Sequence, residues 1–134
     1  MQKRILVDTN ILIDFAEGIG YARKFFETVS EKCYEIYVLK ESFFEASRVT
    51  KKFDKIQSLM AELNKQDLYY LVGLTEEEKE HSKELIGKCI EVLGYDLGPV
   101  DRRIITVAKF RNLAILSKDN DLVKIAKKEK AKVI

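Results

Sequence analysis

Histidine is almost missing from this sequence: His81 is the only one among 134 residues. A zinc site built on several histidines and a two-histidine acid–base mechanism are thereby excluded, and a Ser-His-Asp triad would have to use His81. It stands in the polar run Glu78-Lys79-Glu80-His81-Ser82-Lys83, the wet part of a helix, so an exposed surface residue is expected there. Cysteine is nearly as scarce. Cys33 and Cys89 lack the close pairing of a zinc knuckle or redox motif and the density of a secreted disulfide scaffold, and both are expected in the core of a protein in a reducing compartment. The 6 glycines are scattered, with no G-x-x-x-x-G-K-[ST] and no G-x-G-x-x-G, which removes most support for nucleotide-cofactor folds. No long apolar run occurs. The start of the chain passes from Met1-Gln2-Lys3-Arg4 into Ile5-Leu6-Val7-Asp8, too short for a signal segment or a membrane span, so a cytoplasmic location without membrane contact is expected. Neither sign of charge dominates: 24 basic and 22 acidic residues leave +2, too balanced to announce a polyanionic partner.

What is present is a foldable composition. Apolar residues make up 46% and charged residues 34%, enough for a packed core and a solvated surface, and the length fits a single domain spanning 1–134. Arg4-Ile5-Leu6-Val7-Asp8 puts three branched apolar residues before an acid, the pattern of a strand buried on both faces. Glu35 to Leu39, Leu68 to Val72, Leu113 to Leu116 and the terminal Lys132-Val133-Ile134 read as further strands. Helical spacing marks Tyr21 to Cys33 after a Gly18/Gly20 loop, a stretch from about Lys40 to Lys51, the stripe Phe53, Ile56, Leu59, Met60 and Leu63, and the stripe from Leu85 to Leu93. Thr75 with Glu78 supplies a capping-box start for the last of these. Helices are also expected after Pro99 and from about Asn120, where the basic run Lys124 to Lys132 is taken as a solvated face. Strands and helices alternate without a linker or repeat. The expected fold is therefore a three-layer α/β/α sandwich around a parallel sheet of about five strands.

In open sheets of this class, ligands bind beyond the carboxyl ends of the strands. Asp8 ends the first strand, Glu45 lies just over one helical turn beyond the second, Asp101 opens the helix after Pro99, and Asp119 follows the strand ending at Leu116. Gathering these carboxylates is unfavourable unless something offsets their repulsion. A hard divalent cation does so, and with Mg2+ or Mn2+ such a site performs phosphoryl transfer without a side-chain nucleophile. Read singly, Asp8, Asp101 and Asp119 could each be a helix cap needing no metal.

The run Val7-Asp8-Thr9-Asn10-Ile11-Leu12-Ile13-Asp14 resembles the opening of PIN-domain ribonucleases. Ile36 to Glu45 resembles that family's strand and helix bearing its Glu, Asp101 to Ala108 its Asp-led helix, and Leu116-Ser117-Lys118-Asp119-Asn120-Asp121 its closing signature, in the same order. The resemblance implies Asp8, Glu45, Asp101 and Asp119 as the catalytic, metal-holding acids, Thr9 and Ser117 as hydroxyls that orient them, and Asn10 at the strand-to-helix turn or facing substrate. Glu41 lies on the same helical face as Glu45, so the two remain interchangeable, with Glu45 preferred. Asp96 and Asp121 stand near enough to assist, while Asp14 is expected to be structural. The resemblance also implies RNA as substrate, homodimers, and frequent service as the toxin of a VapC-type toxin–antitoxin pair, with a cognate antitoxin protein as partner.

The leading expectation is thus a Mg2+- or Mn2+-dependent endoribonuclease, with Arg102, Arg103 and Lys118 as candidate substrate contacts and Arg48, Lys51 and Lys52 as further basic candidates. A catalytically weak RNA- or protein-binding module of the same fold is the alternative. An enzyme for small phosphorylated molecules is a third, which a closed, nucleotide-sized pocket would favour.

Overall fold

The computed structural model describes residues 3–134. The first strand, β1 (Arg4–Val7), lies at the centre of a five-stranded sheet in which every neighbouring pair is parallel. On one side it pairs with β2 (Glu35–Leu39), which pairs with β3 (Tyr69–Val72); on the other it pairs with β4 (Ala114–Leu116), which pairs with β5 (Lys132–Val133).

Side chains alternate across a strand, and β1 uses the alternation to serve two cores. Ile5 and Val7 enter one core with α1 (Thr9–Ala16), α2 (Gly20–Lys32), α3 (Lys40–Val49) and α4 (Phe53–Lys65), through Ile11, Leu12, Phe26, Val29, Ala46, Ile56, Met60 and Leu63. Leu6 enters the other, with α5 (Glu76–Leu93), α6 (Pro99–Arg111) and α7 (Asn120–Lys128), through Leu85, Cys89, Ile104, Ile105, Leu122, Ile125 and Ala126. The three-layer α/β/α sandwich expected from the alternation of elements is the fold observed.

Local signals place the elements around the site. Thr75 and Glu78 form the expected capping box, the Thr75 hydroxyl accepting from the Glu78 amide at 3.1 Å and the Thr75 amide donating to Glu78 Oε1 at 2.8 Å. Glu78 has a second task. Buried at 3% exposure, it also accepts from Arg111 Nε at 2.9 Å and Nη2 at 2.7 Å, which ties the start of α5 to the end of α6. Burial opposes its ionisation, yet the Arg111 bonds and the cap amide hold its carboxyl below the ordinary range. Gly98, at φ +103°, turns the chain into α6, and Pro99 takes the first helical position, where no amide is needed.

Three features depart from the sequence expectations. The sequence does not announce helix α1, because the eight residues Thr9–Ala16 are short and mostly apolar, without a polar face to mark a period. Cys33 is exposed rather than in the core: it is the left-handed residue, φ +54°, that ends α2. His81 is not a bare surface residue. It is half-buried against the Phe110 ring, 5.1 Å between centroids, with Glu84 and Glu129 at 3.8 and 3.5 Å, because the polar stretch of α5 packs on α6 and α7.

Candidate active site

The carboxyl end of β1 opens into a cleft of about 200 Å3 lined by Asp8, Thr9, Asn10, Glu45, Leu97, Gly98, Pro99, Val100, Asp101 and Asp119. Each acid arrives on a different support. Asp8 follows the last residue of β1, its amide donating to the Leu116 carbonyl of β4 at 3.0 Å. Glu45 projects from the second turn of α3, Asp101 from the first turn of α6, and Asp119 from the junction of β4 and α7.

The two aspartates at the strand ends are wired together. Ser117 Oγ donates to Asp8 Oδ2 at 2.7 Å and accepts the Asp119 amide at 3.0 Å. Asp119 Oδ1 in turn accepts the amides of Asp121 and Leu122 at 2.9 and 3.2 Å, so this acid caps α7 while lining the cleft. Asp8 also takes the N-cap position of α1 but makes no side-chain cap bond there; of the caps that would need no metal, only the one at Asp119 is formed. Among the described residues, Glu45 and Asp101 have neither a hydrogen-bond nor an ion-pair partner.

This arrangement is strained electrostatically. Burial raises the Asp8 carboxyl; the Ser117 hydroxyl and the Thr9 amide oppose the rise, while the charges of Asp119 and Glu45 add to it. Asp101 is pushed up to about 7, by burial first and then by Asp8, Asp119, Glu45 and Asp96. Near neutral pH the Asp101 carboxyl is therefore poised between its neutral and charged forms, and a cation among the acids would favour the charged one. The donors are all hard oxygens without a thiolate or imidazole, the set that suits Mg2+ or Mn2+ rather than a structural zinc. Among the described residues no three such side chains already stand in ligating positions, so the acids line a common cleft without closing on a centre. Thr9 Oγ1, buried in the wall, has no hydrogen-bond partner among the described residues and can bond a carboxylate or a bound water.

Neighbouring candidates separate clearly. Glu41 does not line the cleft; Arg103 Nη1 donates to its Oε1 at 2.9 Å, which leaves Glu45 as the α3 carboxylate facing Asp101. Arg102 is buried at 7% exposure, its Nε 3.2 Å from Asp96, so this pair braces the loop before α6 and Arg102 offers nothing to a substrate. Helical phase explains it: about 100° on from Asp101, Arg102 turns inward, and Arg103, a further step round, is drawn across to Glu41. Asp121 stays in the first turn of α7, outside the cleft lining. Lys52 pairs with Glu17 at 3.7 Å, and neither Arg48 nor Lys51 reaches the cleft wall.

A second depression, lined by Asn10, Asp14, Lys118 and Asp119, adjoins the first through Asn10 and Asp119. Asp14 accepts from the Tyr21 hydroxyl and pairs with Lys118 Nζ at 3.2 Å. Nothing in the sequence marks Tyr21 for this part. It lies on α2, and no local spacing links it to Asp14 on α1.

A comparison with curated proteins returned no match. Among solved structures, the chain is similar to VapBC2 from Rickettsia felis, crystallised bound to a DNA fragment from their promoter, with a TM-score of 0.66 and 14% identity over 97% of this chain and 96% of that one. It is similar to PAE2754 from Pyrobaculum aerophilum, with a TM-score of 0.64 and 14% identity over 99% and 92% of the two chains. It is also similar to FitAcB from Neisseria gonorrhoeae, at 0.59 and 16% over 97% and 96%. At such identities these likenesses establish the fold. The model of the PIN domain family matches residues 5–128, a span that includes Asp8, Glu45, Asp101 and Asp119. The chain belongs to the PIN domain family.

Proposed function

We propose that this protein is a Mg2+- or Mn2+-dependent endoribonuclease whose catalytic acids are Asp8, Glu45, Asp101 and Asp119. PIN domain proteins are generally nucleases that use divalent metal ions. The observation that carries the reading for this chain is that four segments distant in sequence turn carboxylates into one open cleft, two of them without any partner among the described residues.

When bound, the cation supplies a water of lowered pKa and neutralises charge developing on the phosphodiester. The chain's own part is orientation. Ser117 fixes the Asp8 carboxylate, the α7 amides fix Asp119, and the Thr9 hydroxyl is available to steady the ligands. Glu45 and Asp101, unattached, are able to move onto a cation without breaking an existing bond. The open mouth suits a single-stranded or looped RNA better than a small phosphorylated molecule, which would favour enclosure.

The likeness in fold to VapBC2 and FitAcB supports a toxin of a toxin–antitoxin pair, held by a cognate antitoxin; a homodimer in the cytoplasm belongs to the same proposal. A binding module without catalysis has less support, since its usual mark is loss of acids and all four line the cleft here.

The test is cleavage of single-stranded RNA by purified protein with Mn2+ or Mg2+, suppressed by EDTA and reduced at least about a hundredfold by Asp8→Asn, since losing a group that only orients a metal ligand already costs about 10–100-fold. Undiminished cleavage in that variant overturns the assignment. Mn2+ titration calorimetry separates a nuclease, which binds the ion, from a module that does not.

A further inference from the structure

The acidic cleft repels a polyanion, and the basic residues near it in sequence do little to offset this: Arg102 is buried with Asp96 and Arg103 is held by Glu41. Among the described residues, Lys118 is the one cation that lines either depression. Its setting is specific. The ammonium lies 3.2 Å from Asp14 Oδ2 and 4.4 Å from the centroid of the Tyr21 ring, while the Tyr21 hydroxyl donates to that same carboxylate oxygen. Asp14 thus divides its accepting capacity between a phenol and an ammonium, and the ring face attracts the cation without cancelling its charge. The Lys118 side chain remains 57% exposed and Tyr21 37% exposed. A lysine in free solution would sample many rotamers; this one is parked at the lip of the second depression, paired with Asp14 on one side and open to solvent on the other.

We propose that the depression of about 330 Å3 lined by Asn10, Asp14, Lys118 and Asp119 is the subsite for the RNA phosphate next to the one being cut, with Lys118 as its ligand and Asp14 and Tyr21 as positioning residues. The inference rests on the nuclease reading above and extends it. Asn10 and Asp119 border both depressions, so a strand leaving the acidic cleft on this side passes directly over Lys118. Among the described residues, Lys118 is the one positive charge in the second depression, set against Asp14 and Asp119, so a phosphate entering there is drawn to the ammonium. On arrival the phosphate takes the ammonium, and Asp14 keeps the Tyr21 hydroxyl as its partner, so its carboxylate is not left bare.

The test is stopped-flow anisotropy of a labelled polyuridine RNA of about twelve nucleotides, within the usual span of a single-strand site, on the Mn2+-loaded protein. It reads binding whether or not the strand is then cut. Lys118→Ala is expected to weaken binding about tenfold and to flatten the slope of log affinity against log salt by about 0.7, the contribution of one phosphate contact to a single strand. Lys118→Arg is expected to keep the slope. Tyr21→Leu is expected to weaken binding about threefold in the native background and to add nothing to Lys118→Ala, since a positioning residue acts only through the group it positions. Mn2+ affinity should be unchanged in all three. An unaltered slope in Lys118→Ala, or a Tyr21→Leu effect that adds in full to it, overturns the proposal. Wild-type protein that binds RNA with the Lys118-dependent slope but does not cut it sinks the nuclease reading and leaves Lys118 as a phosphate contact of an RNA-binding site, with no cut phosphate beside it. Wild type that cuts RNA with Lys118→Ala indistinguishable from it keeps the nuclease reading and overturns the subsite, and wild type that binds no RNA removes both.

Discussion

Replacing Asp101 with asparagine should make the metal-free protein more stable at alkaline pH and hardly change it in acid. In the folded state the Asp101 carboxyl is pushed up from 3.8 to about 7. An acid whose pKa is raised on folding binds more protons folded than unfolded, so stability falls as pH climbs from about 4 to about 7 and stays low above that. At about 1.36 kcal/mol per unit, the full shift would be about 4 kcal/mol. Asp101 is partly open to solvent, and screening there brings the expected figure down to about 1–2 kcal/mol. The amide in Asp101→Asn keeps the shape of the carboxyl, carries no charge, and also relieves Asp8 of a repulsive neighbour. The assay is urea unfolding in EDTA for both proteins, at about pH 8 and about pH 4.5, on either side of the folded pKa. Comparing the two pH values cancels any effect of the amide itself, and the gain should correspond to about 3–7 °C in Tm at the higher pH. Mn2+ should then reverse the order, since an ion bound only by the folded state stabilises by about 2.7 kcal/mol at about a hundred times its dissociation constant, and the native acid binds it better. If the variant gains nothing at the higher pH relative to the lower, burial and the neighbouring acids do not raise Asp101 as the geometry implies.

Arg111→Met should cost about 2–3 kcal/mol by chemical denaturation, because Glu78 would be left buried and charged with only its Thr75 partners for company. The loss should shrink as the pH is lowered through the depressed Glu78 pKa, where the carboxyl is neutral in either protein. Ser117→Ala should leave the fold within about 1 kcal/mol and weaken Mn2+ binding about tenfold by calorimetry, since the hydroxyl holds Asp8 and the Asp119 amide in one chain of bonds. Gly98→Ala should cost about 1–2 kcal/mol by the same unfolding assay: no atom lies within 4 Å of the added methyl, so the whole loss is backbone strain at φ +103°.

The sheet was legible because its strands are short branched-apolar runs separated by periodic helices, and the four acids because each closely follows such a strand or opens such a helix. What escaped was decided by contacts between distant segments. Helix α1 hides because Ile11, Leu12 and Ala16 are buried on one side while Ile13 and Phe15 pack on another, leaving no polar stripe to betray a period. Spacing on α3 could not choose between Glu41 and Glu45; Arg103, 62 residues on from Glu41, makes the choice. Arg102 is next to Asp101 in the chain yet faces the interior, a matter of helical phase relative to a core that local composition does not reveal. The Tyr21 hydroxyl meets Asp14 only because α1 and α2 fold back on each other.

The alternation of Ile5, Leu6 and Val7 between two cores has a bearing on quality control during folding. A slip of β1 by one position would send each of these side chains to the wrong layer and, in the same movement, carry the carboxylate at residue 8 away from its Ser117 tether. Misassembly and loss of the acidic cleft are thereby one event: only a molecule that has sorted its apolar side chains correctly presents the four acids together.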